Sequence, residues 1–522
     1  MSQKKYVLVV DAGTQSIRAV LIDLQGNICE IERTEIEPYF SNQPGFAEQD
    51  PEYLWDKLCE TTKRLIKNTS VDIADIKGLS ITTQRGTLVN LDKEGKPLRP
   101  AIIWLDQRKA KLHNWPKGIV KKGLQIINMY ESLAHAIKDG ESNWIKQSQP
   151  EIWNQTHKYV FLSGFFIHRL VGKYLDSIGS TVGYIPFDYK KQRWSKPGEI
   201  NARLFPIEKE KLVDLVKPSD LIGYITPTAS EQTGLPQGLP VIAAAADKAC
   251  EVLGSGCSNP DIACLSYGTT ATIETVNNKY IEVIPFFPSY PSAIPNHYNT
   301  EVMIYRGYWM IKWFKQEFGH KEVELAKQSG KSPEELFDEM IKDIPPGSMG
   351  LTLQPYWSPG VKIPGIEAKG AVIGFGDVHT RAHLYRSILE GITYALKDGA
   401  LRTEKRTGVK IQKLRVSGGG SQSKNALQMT ADIFIMQVEK PHTYETSALG
   451  AAINCAVGLN LYPDFQTAIQ NMCRISETYH PKPENTLIYK KLYENVYSKM
   501  YKQLKPLYQN IREITNYPST KF

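Results

Sequence analysis

The sequence predicts an α/β protein built from two related domains. Strand-like apolar runs alternate with helical patterns along most of its 522 residues, an arrangement that is typical of α/β folds. A strand, a turn of glycine and hydroxyl residues and a second strand occur twice, near Gly13 and near Gly268. The second occurrence follows the apolar segment 239–246, so we place the domain boundary close to residue 250.

The first domain opens with a predicted β-hairpin. Residues 6–10 and 17–23 are rich in β-forming side chains, and Asp11-Ala12-Gly13-Thr14 between them is a turn sequence. Backbone N–H groups at such a turn can hold phosphate oxygens, although an ordinary hairpin has the same pattern. Further strands are predicted at 78–82, 87–91 and 101–104, and helices at 51–67 and 143–170.

The second domain is predicted to be more helical. Two strands enclose the turn at 267–270, and a long helix over 379–406 ends at Thr407-Gly408. A short strand at 414–416 leads into three glycines and a helix that begins near Lys424. Tyrosines at every fourth position in the C-terminal segment indicate a packing face. We therefore predict domains at 1–250 and 251–480, with a helical tail at 481–522 that packs on the second domain.

Composition and charge exclude several classes of protein. Hydrophobic residues make up 41% and charged residues 23%, which is typical of globular proteins. The net charge of +8 is dispersed in isolated basic pairs such as Lys121-Lys122, so no nucleic-acid partner is expected. No apolar run is long enough to span a membrane or form a signal-peptide core. Seven cysteines without a CxxC pair indicate reduced thiols and a cytoplasmic location.

The common nucleotide and metal motifs are incomplete. Gly330-Lys331-Ser332 lacks the first glycine of a Walker loop, and Gly254-Ser255-Gly256 lacks the third glycine of a dinucleotide fingerprint. His379 and His383 have the spacing of a zinc pair but no third ligand, so packing roles are favoured. The HRD and DFG elements of protein kinases are also absent.

Two aspartates and three glycine-containing turns remain as candidates. Asp11 and Asp247 both follow apolar strands, where α/β folds place their ligands. One carboxylate there can hold hydrated Mg²⁺, and another can orient or deprotonate a hydroxyl. The glycines at 418–420 precede a helix and allow an anionic group close to the backbone. These features suit phosphoryl transfer from ATP to an alcohol, one option among several.

Several segments, taken in order, resemble the FGGY family of carbohydrate kinases, and the resemblance runs from Val7 to about Tyr462. They are Asp11-Ala12-Gly13-Thr14-Gln15-Ser16, Gly45-Phe46-Ala47-Glu48-Gln49-Asp50, Thr82-Thr83-Gln84-Arg85, Trp104-Leu105-Asp106-Gln107-Arg108, Ala246-Asp247, Tyr267-Gly268-Thr269-Thr270, Gly370 to Glu390, Gly418-Gly419-Gly420 with Ser423, and Ala448-Leu449-Gly450-Ala451-Ala452. Each segment alone is weak, and their order and spacing carry the resemblance.

The resemblance implies two actin-like, ribonuclease H-like domains with an ATP and sugar cleft between them. It assigns Asp247 as the general base and Asp11 to Mg²⁺. The residues it implies for substrate binding are Gln84, Arg85, Trp104, Asp247 and Lys248. Those it implies for binding ATP are Gly13, Thr14, Gln15, Gly268, Thr269, Thr270, Gly418, Gly419, Gly420 and Ser423. Dimers and tetramers are common in the family, so a homo-oligomer is compatible with it.

The sequence departs from the family pattern in four places. Gly86 stands where glycerol kinases have an acidic residue, and Gln84-Arg85 stands where xylulokinases have Met-His. We therefore expect a ketose or a longer polyol rather than glycerol, with the exact sugar unassigned. Lys248 replaces an amide residue, and it either contacts a carboxylate-bearing or phosphorylated substrate, lies on the surface, or pairs with Glu251. Glu141 occupies the place of a lysine three residues before a tryptophan, Trp144.

Two other functions fit the same segments. One is an actin-like ATPase without kinase activity, such as a chaperone or a filament protein; the turn at 82–85 and the segment 370–390 argue against it. The other is an inactive sensor that binds sugar and nucleotide, which the retention of Asp11 and Asp247 disfavours. A turnover assay separates the sensor from the kinase.

Overall fold

Two large β-sheets, one in each half of the chain, form the framework of the molecule. The computed structural model describes residues 5–112, 121–122, 130–358, 360 and 363–517. The strands are β1 Tyr6–Ala12, β2 Ser16–Asp23, β3 Ile28–Glu35, β4 Glu48–Gln49, β5 Ile76–Thr83, β6 Leu88–Leu91, β7 Ala101–Ile102, β8 Lys158–Phe161, β9 Leu175–Ser177, β10 Phe187–Asp188, β11 Arg193–Trp194, β12 Asp214–Val216, β13 Leu221–Tyr224, β14 Pro240–Ile242, β15 Ile262–Tyr267, β16 Ala271–Asn277, β17 Tyr290–Pro291, β18 Tyr298–Ile304, β19 Thr352–Gln354, β20 Ala371–Ile373, β21 Lys413–Ser417, β22 Gln437–Pro441 and β23 Ile475–Tyr479.

The central strands of the two sheets have the same arrangement. The first has the order β13-β14-β5-β1-β2-β3, and the second has the order β17-β18-β16-β15-β21-β22-β23. In the first sheet β1 is antiparallel to β2 and parallel to β5. In the second, β15 is antiparallel to β16 and parallel to β21. The α/β class and the repeat of strand, turn and strand are therefore confirmed, while the exact boundaries at 250 and 480 stay predictions.

Helices cover both sheets and form the tail. They are α1 Pro51–Asn68, α2 Tyr130–Asp139, α3 Glu141–Ser148, α4 Pro150–Gln155, α5 Leu162–Val171, α6 Ile200–Leu204, α7 Pro227–Thr233, α8 Asp247–Gly254, α9 Trp309–Phe318, α10 His320–Ser329, α11 Pro333–Met340, α12 Arg381–Thr407, α13 Lys424–Phe434, α14 Thr446–Gly458, α15 Phe465–Met472, α16 Pro483–Leu492 and α17 Ser498–Thr515. No helix among the described ranges combines the length and the apolar character that crossing a bilayer requires.

The helix predicted over 143–170 is wrong in its middle. The structure has α3 and α4, then strand β8, and only then α5. Strand β8 pairs with β6 in a smaller four-stranded sheet of order β4-β7-β6-β8. The pairing joins Lys158 to Leu91 and Phe161 to Leu88, about 70 residues away, so no local sequence pattern records it.

Strand β1 is buried on both faces, which fixes the position of its carboxyl end. Leu8 and Val10 belong to the cluster that includes α1 and α5 side chains, whereas Val7 and Val9 belong to the cluster with α14. Strands that are covered on both sides read as continuous apolar runs, as 6–10 does. The turn that follows, with Asp11 at its base, is therefore held on a rigid support.

Helices α8 and α14 cross with their backbones in contact. A Cβ atom on Gly254 would lie 1.9 Å from the carbonyl oxygen of Thr446, and one on Gly450 would lie 1.9 Å from that of Cys250. Both positions therefore require glycine. Because α8 begins at Asp247, this crossing sets where that carboxylate lies relative to the second sheet.

The C-terminal helices contact the second half of the chain. The Tyr489 hydroxyl donates to Glu390 Oε1 at 2.8 Å, and the Tyr508 hydroxyl donates to Gln354 Oε1 at 2.8 Å. Tyr493 and Tyr497 belong to the hydrophobic cluster of the second sheet. A short π-helical turn, Tyr493–Tyr497, joins α16 to α17.

Candidate active site

The predicted phosphate turn at Gly13 is linked by hydrogen bonds to residues 82–85 and to Trp104. Residues 82–85 form the predicted sugar turn. The Gly13 N–H donates to Ser16 O at 3.0 Å and closes the hairpin. The Thr14 hydroxyl donates to Gln84 Oε1 at 2.7 Å, and Trp104 Nε1 donates to Thr14 Oγ1 at 3.0 Å. The structure therefore brings Thr14, Gln84 and Trp104 together. Trp104 remains 43% exposed, so its ring can still contact a ligand.

Gln49 completes this arrangement and was missed as a functional residue. Its side-chain oxygen accepts a hydrogen bond from Gln84 Nε2 at 2.6 Å, and its own amide donates to Pro38 O at 2.7 Å. Both ends of the Gln84 amide are thus held by protein groups. These bonds allow Gln84 to orient the Thr14 hydroxyl.

Asp11 is a buried carboxylate with one cationic partner. Asp11 and Arg18 are opposite each other in the β1–β2 ladder, and Arg18 Nη1 lies 3.2 Å from Asp11 Oδ2. Arg18 also lies 2.6 Å from Glu445 Oε2. Burial raises the pKa of Asp11 to about 7, Arg18 opposes the shift, and Glu445 and Asp247 add to it. A buried anion surrounded by other anions favours a bound cation.

The residues present fit Mg²⁺ that arrives with a nucleotide. Within the described residues, no three His, Cys, Asp or Glu side chains are close enough to hold a metal by themselves. Mg²⁺ usually takes one or two carboxylates and completes its shell with water and phosphate oxygens. Asp11, beside the Gly13 turn, is a carboxylate that can serve in this way.

Asp247 is the first residue of α8 rather than its cap. Ala246 is the N-cap and offers no side-chain hydrogen bond, while Asp247 Oδ1 accepts only the adjacent Lys248 N–H at 2.7 Å among the bonds described. The strand predicted over 239–246 ends at Ile242, and residues 243–246 form a loop. The Thr82 hydroxyl donates to Ala245 O at 2.9 Å and ties this loop to the end of β5.

The surroundings of Asp247 make it a stronger base than a solvated aspartate. Burial raises its pKa, and the cations Arg85 and Lys248 partly oppose that shift. A base is most effective when its pKa approaches the working pH. Asp247 also raises the pKa of Asp11, so the two carboxyl groups lie within electrostatic reach of each other.

The two predicted nucleotide turns, at 267–270 and 418–420, lie side by side because they follow the neighbouring parallel strands β15 and β21. Gly268 O and Thr269 O accept hydrogen bonds from Tyr308 N and Trp309 N at 3.0 and 3.2 Å. Gly418 has φ +79°, a backbone conformation that favours glycine. A Cβ on Gly420 would lie 2.4 Å from the Tyr308 ring, whereas one on Gly419 would meet nothing within 4 Å. The turn at Gly419 is therefore open to a ligand.

Ser423 caps helix α13. Its hydroxyl accepts the Ala426 N–H at 3.1 Å and donates to Asp338 Oδ1 at 2.8 Å. Burial raises the pKa of Asp338 to about 6. Asp338 was not anticipated, since it lies in α11, far from any recognisable motif.

The comparisons with known proteins decide the family. A model of the FGGY carbohydrate kinases, N-terminal domain, matches residues 6–254, and the C-terminal domain model matches residues 263–459. The chain belongs to the FGGY family of carbohydrate kinases. As a member of that family it is a phosphotransferase that uses ATP with Mg²⁺ and acts on a sugar hydroxyl.

Individual relatives of this FGGY kinase cover almost its whole length. An uncharacterized sugar kinase, YgcE, from Escherichia coli K12 is 29% identical over 96% of this chain and 94% of its own. A xylulose kinase from Staphylococcus epidermidis RP62A is 28% identical over 98% of this chain and 100% of its own. The crystal structure of gluconate kinase from Lactobacillus acidophilus has a TM-score of 0.81 at 22% identity and covers 97% of this chain and 99% of its own. These structural likenesses confirm the two-domain actin-like fold.

Lys248, the cation that departs from the FGGY pattern, is paired inside the protein. Its Nζ lies 2.6 Å from Glu251 Oε2 and 2.5 Å from Ser266 Oγ. Glu251 also accepts the Ser417 hydroxyl at 2.5 Å. The network therefore joins α8 to the ends of β15 and β21, just before the two nucleotide turns. Among the roles considered for Lys248, the structure shows the ion pair with Glu251.

Glu141, another departure from the FGGY pattern, is a half-buried acid with one buried carboxyl oxygen. Its Oε2 is buried without a hydrogen-bond partner in the described part of the chain, and the same is true of the Tyr159 hydroxyl. Burial raises the pKa of Glu141 to about 8, with Asp139 and Asp106 adding to the effect. The only sequence signal for this site was the acidic residue at a position where the family has lysine.

For the metal assignment we expect the Asp11→Asn variant to need at least about tenfold more Mg²⁺ for half-maximal turnover, since even groups that only orient a metal ligand are worth about 10- to 100-fold. Sugar affinity should stay near that of the parent, because Arg85 and Trp104 are unchanged. Kinetics over a Mg²⁺ series and titration with the sugar check this.

Glu445→Gln is the matched control for that prediction, because it removes the other carboxylate from Arg18 and leaves Asp11 in place. An equal loss of Mg²⁺ response in both variants would mean that Asp11 acts only through Arg18.

Proposed function

We propose that this FGGY kinase transfers the γ-phosphoryl group of ATP to a hydroxyl of a ketose or a longer polyol, with Asp247 as the general base. The observation that carries the proposal is the position of Asp247 at the start of α8. Its cationic neighbours are Arg85, in the predicted sugar turn at 82–85, and Lys248. Lys248 reaches β15, the strand that leads into the nucleotide turn at 267–270.

The residues then have separate tasks. Gly13, Thr14, Gly268 and Thr269 offer turns at which phosphate oxygens can be held, and the open turn at Gly419 receives the nucleoside. Asp247 accepts the proton of the sugar hydroxyl. The hydroxyl oxygen then bonds to the γ-phosphorus of ATP while the bond from that phosphorus to the ADP leaving group breaks. The Asp247 side chain is half-buried, so a bound sugar can displace the water that would otherwise compete as acceptor.

The proposal is tested by ADP release with a panel of ketoses, aldoses, polyols and aldonates. The Asp247→Asn variant supplies the background for each compound. Saturable ADP release with at least one neutral sugar or polyol, absent in the variant, supports the kinase. Binding of sugar and ATP without any turnover across the panel would instead identify an inactive sensor.

Glycerol should rank well below the best ketose or polyol in that panel. Gly86 provides no carboxylate for a terminal hydroxyl, and its φ of +61° favours glycine over a side chain. A hydroxyl that loses its partner costs about 1–3 kcal/mol, which is about 5- to 150-fold in kcat/KM. If glycerol gave the highest kcat/KM, the interpretation of Gly86 would be wrong.

A further inference from the structure

Arg85 and Glu301 form an ion pair across the cleft. Arg85 follows β5 in the first sheet's domain, and Glu301 lies in β18 of the second sheet. Arg85 Nη1 is 2.7 Å from Glu301 Oε2, and Nη2 is 3.2 Å from Oε1. The side chains are only 16% and 6% exposed, so water screens the pair little.

Glu301 binds Arg85 in the same way as the carboxylate of a ligand would. Two parallel N–H···O bonds from the guanidinium fork match one carboxylate, and this geometry is how arginine recognises anionic ligands. The Tyr290 ring lies 5.4 Å from the guanidinium carbon and supports it from one side. The Glu301 side chain therefore occupies the place where a substrate carboxylate would bind Arg85.

We propose that Glu301 is a specificity-determining residue that neutralises Arg85 and thereby excludes anionic sugars such as aldonates. The inference rests on the proposed function, since it concerns the substrate class of the same site. A neutral hydroxyl can still use the edges of the guanidinium, whereas a carboxylate must displace Glu301 from it.

The other cations around Asp247 do not replace Arg85 as an anion receptor. Lys248 is paired with Glu251, and Arg18 is paired with Asp11 and Glu445. A second acid, Glu274, is buried next to this region and interacts with both Glu301 and Arg85. A substrate carboxylate would thus meet the Glu301 carboxylate, and like charges at close range reject a ligand.

The alternative role for the pair is a mechanical one, in which it only holds the two domains together. The two roles differ in what the loss of the Glu301 charge does to selectivity. A purely mechanical pair affects every substrate in the same proportion. A specificity-determining carboxylate changes the ratio between anionic and neutral substrates.

The test is the Glu301→Gln variant with the full-length protein. Gln keeps the shape and one acceptor for Arg85 but removes the negative charge. We expect kcat/KM for gluconate and other aldonates, relative to the best neutral substrate, to rise by about tenfold or more. Glu301→Asp keeps the charge and should retain the selectivity of the parent.

A second measurement does not depend on catalysis. Gluconate should raise the Tm of Glu301→Gln in a thermal shift assay and leave the Tm of the parent and of Glu301→Asp unchanged. If the Gln variant is poorly folded, Glu301→Ser takes its place in both assays, since it also frees Arg85.

Three outcomes are distinguishable. A neutral substrate preferred by the parent, with a raised aldonate ratio in Glu301→Gln, supports the inference. The same preference with an unchanged ratio overturns the role of Glu301 and leaves the proposed function standing. An aldonate preferred by the parent overturns both.

Discussion

The Asp247→Asn variant is expected to lose turnover by about 10²- to 10⁴-fold, the usual contribution of a general base. Asparagine keeps the size of the side chain and can still accept a hydrogen bond from the sugar hydroxyl, but it cannot take the proton. The KM for ATP should change little, because the nucleotide turns at 267–270 and 418–420 are not altered. Steady-state kinetics with both substrates and a Tm measurement check this.

The same variant separates catalysis from a structural role. The bond from Lys248 N–H to Asp247 Oδ1 is available to asparagine as well, so the Tm should stay close to that of the parent. Near-normal kcat would exclude Asp247 as the base. A large fall in Tm together with kcat would show that the carboxylate stabilises α8 instead.

Gly450→Ala should destabilise the protein and lower kcat together. The new methyl group would lie 1.9 Å from Cys250 O and 2.6 Å from Cys250 C, so α8 and α14 must move apart. Overpacking of this kind costs about 1–3 kcal/mol and sometimes more. Because α8 begins at Asp247, the shift also displaces the base. Thermal unfolding and kcat measured on the same preparation check both effects.

Gly376→Ala is the matched control for that prediction. Gly376 lies on the surface, and a Cβ there would meet His379 Nδ1 at 3.7 Å, which is an ordinary contact. Its Tm and kcat should equal those of the parent. A Gly450→Ala variant that also behaves like the parent would show that the helix crossing tolerates displacement.

The parts of the fold that the sequence predicted are those specified by neighbouring residues. The hairpin at Gly13 and its counterpart at Gly268 have apolar strands directly beside a turn, so periodicity and turn chemistry were sufficient. The end of the long helix at Gly408 was predicted equally well, because glycine commonly follows the last residue of a helix. In the structure Gly408 has φ +75°, the conformation of such a helix end. Strand β8 was missed because its partner, β6, lies about 70 residues earlier in the chain.

The same division applies to the candidate site. Asp11 and Asp247 follow apolar segments, so the sequence could single them out as candidates. The pair of Lys248 with Glu251 was among the alternatives considered because the two are three residues apart. Glu301 carries no local signal, since it is one acid within a strand and its partner Arg85 is 216 residues away. Only the fold brings these two side chains together.

Because the C-terminal helices are attached to the second domain, a label on them can report the distance between the two domains. Tyr489 and Tyr508 tie them to Glu390 and Gln354, so the tail should travel with the second domain as a rigid lever. A fluorophore on the exposed Gln509 and another on the exposed Glu94, in a turn of the first domain, would form a distance-sensitive pair. Energy transfer between them would report any opening or closing of the cleft in real time, without a label in the active site.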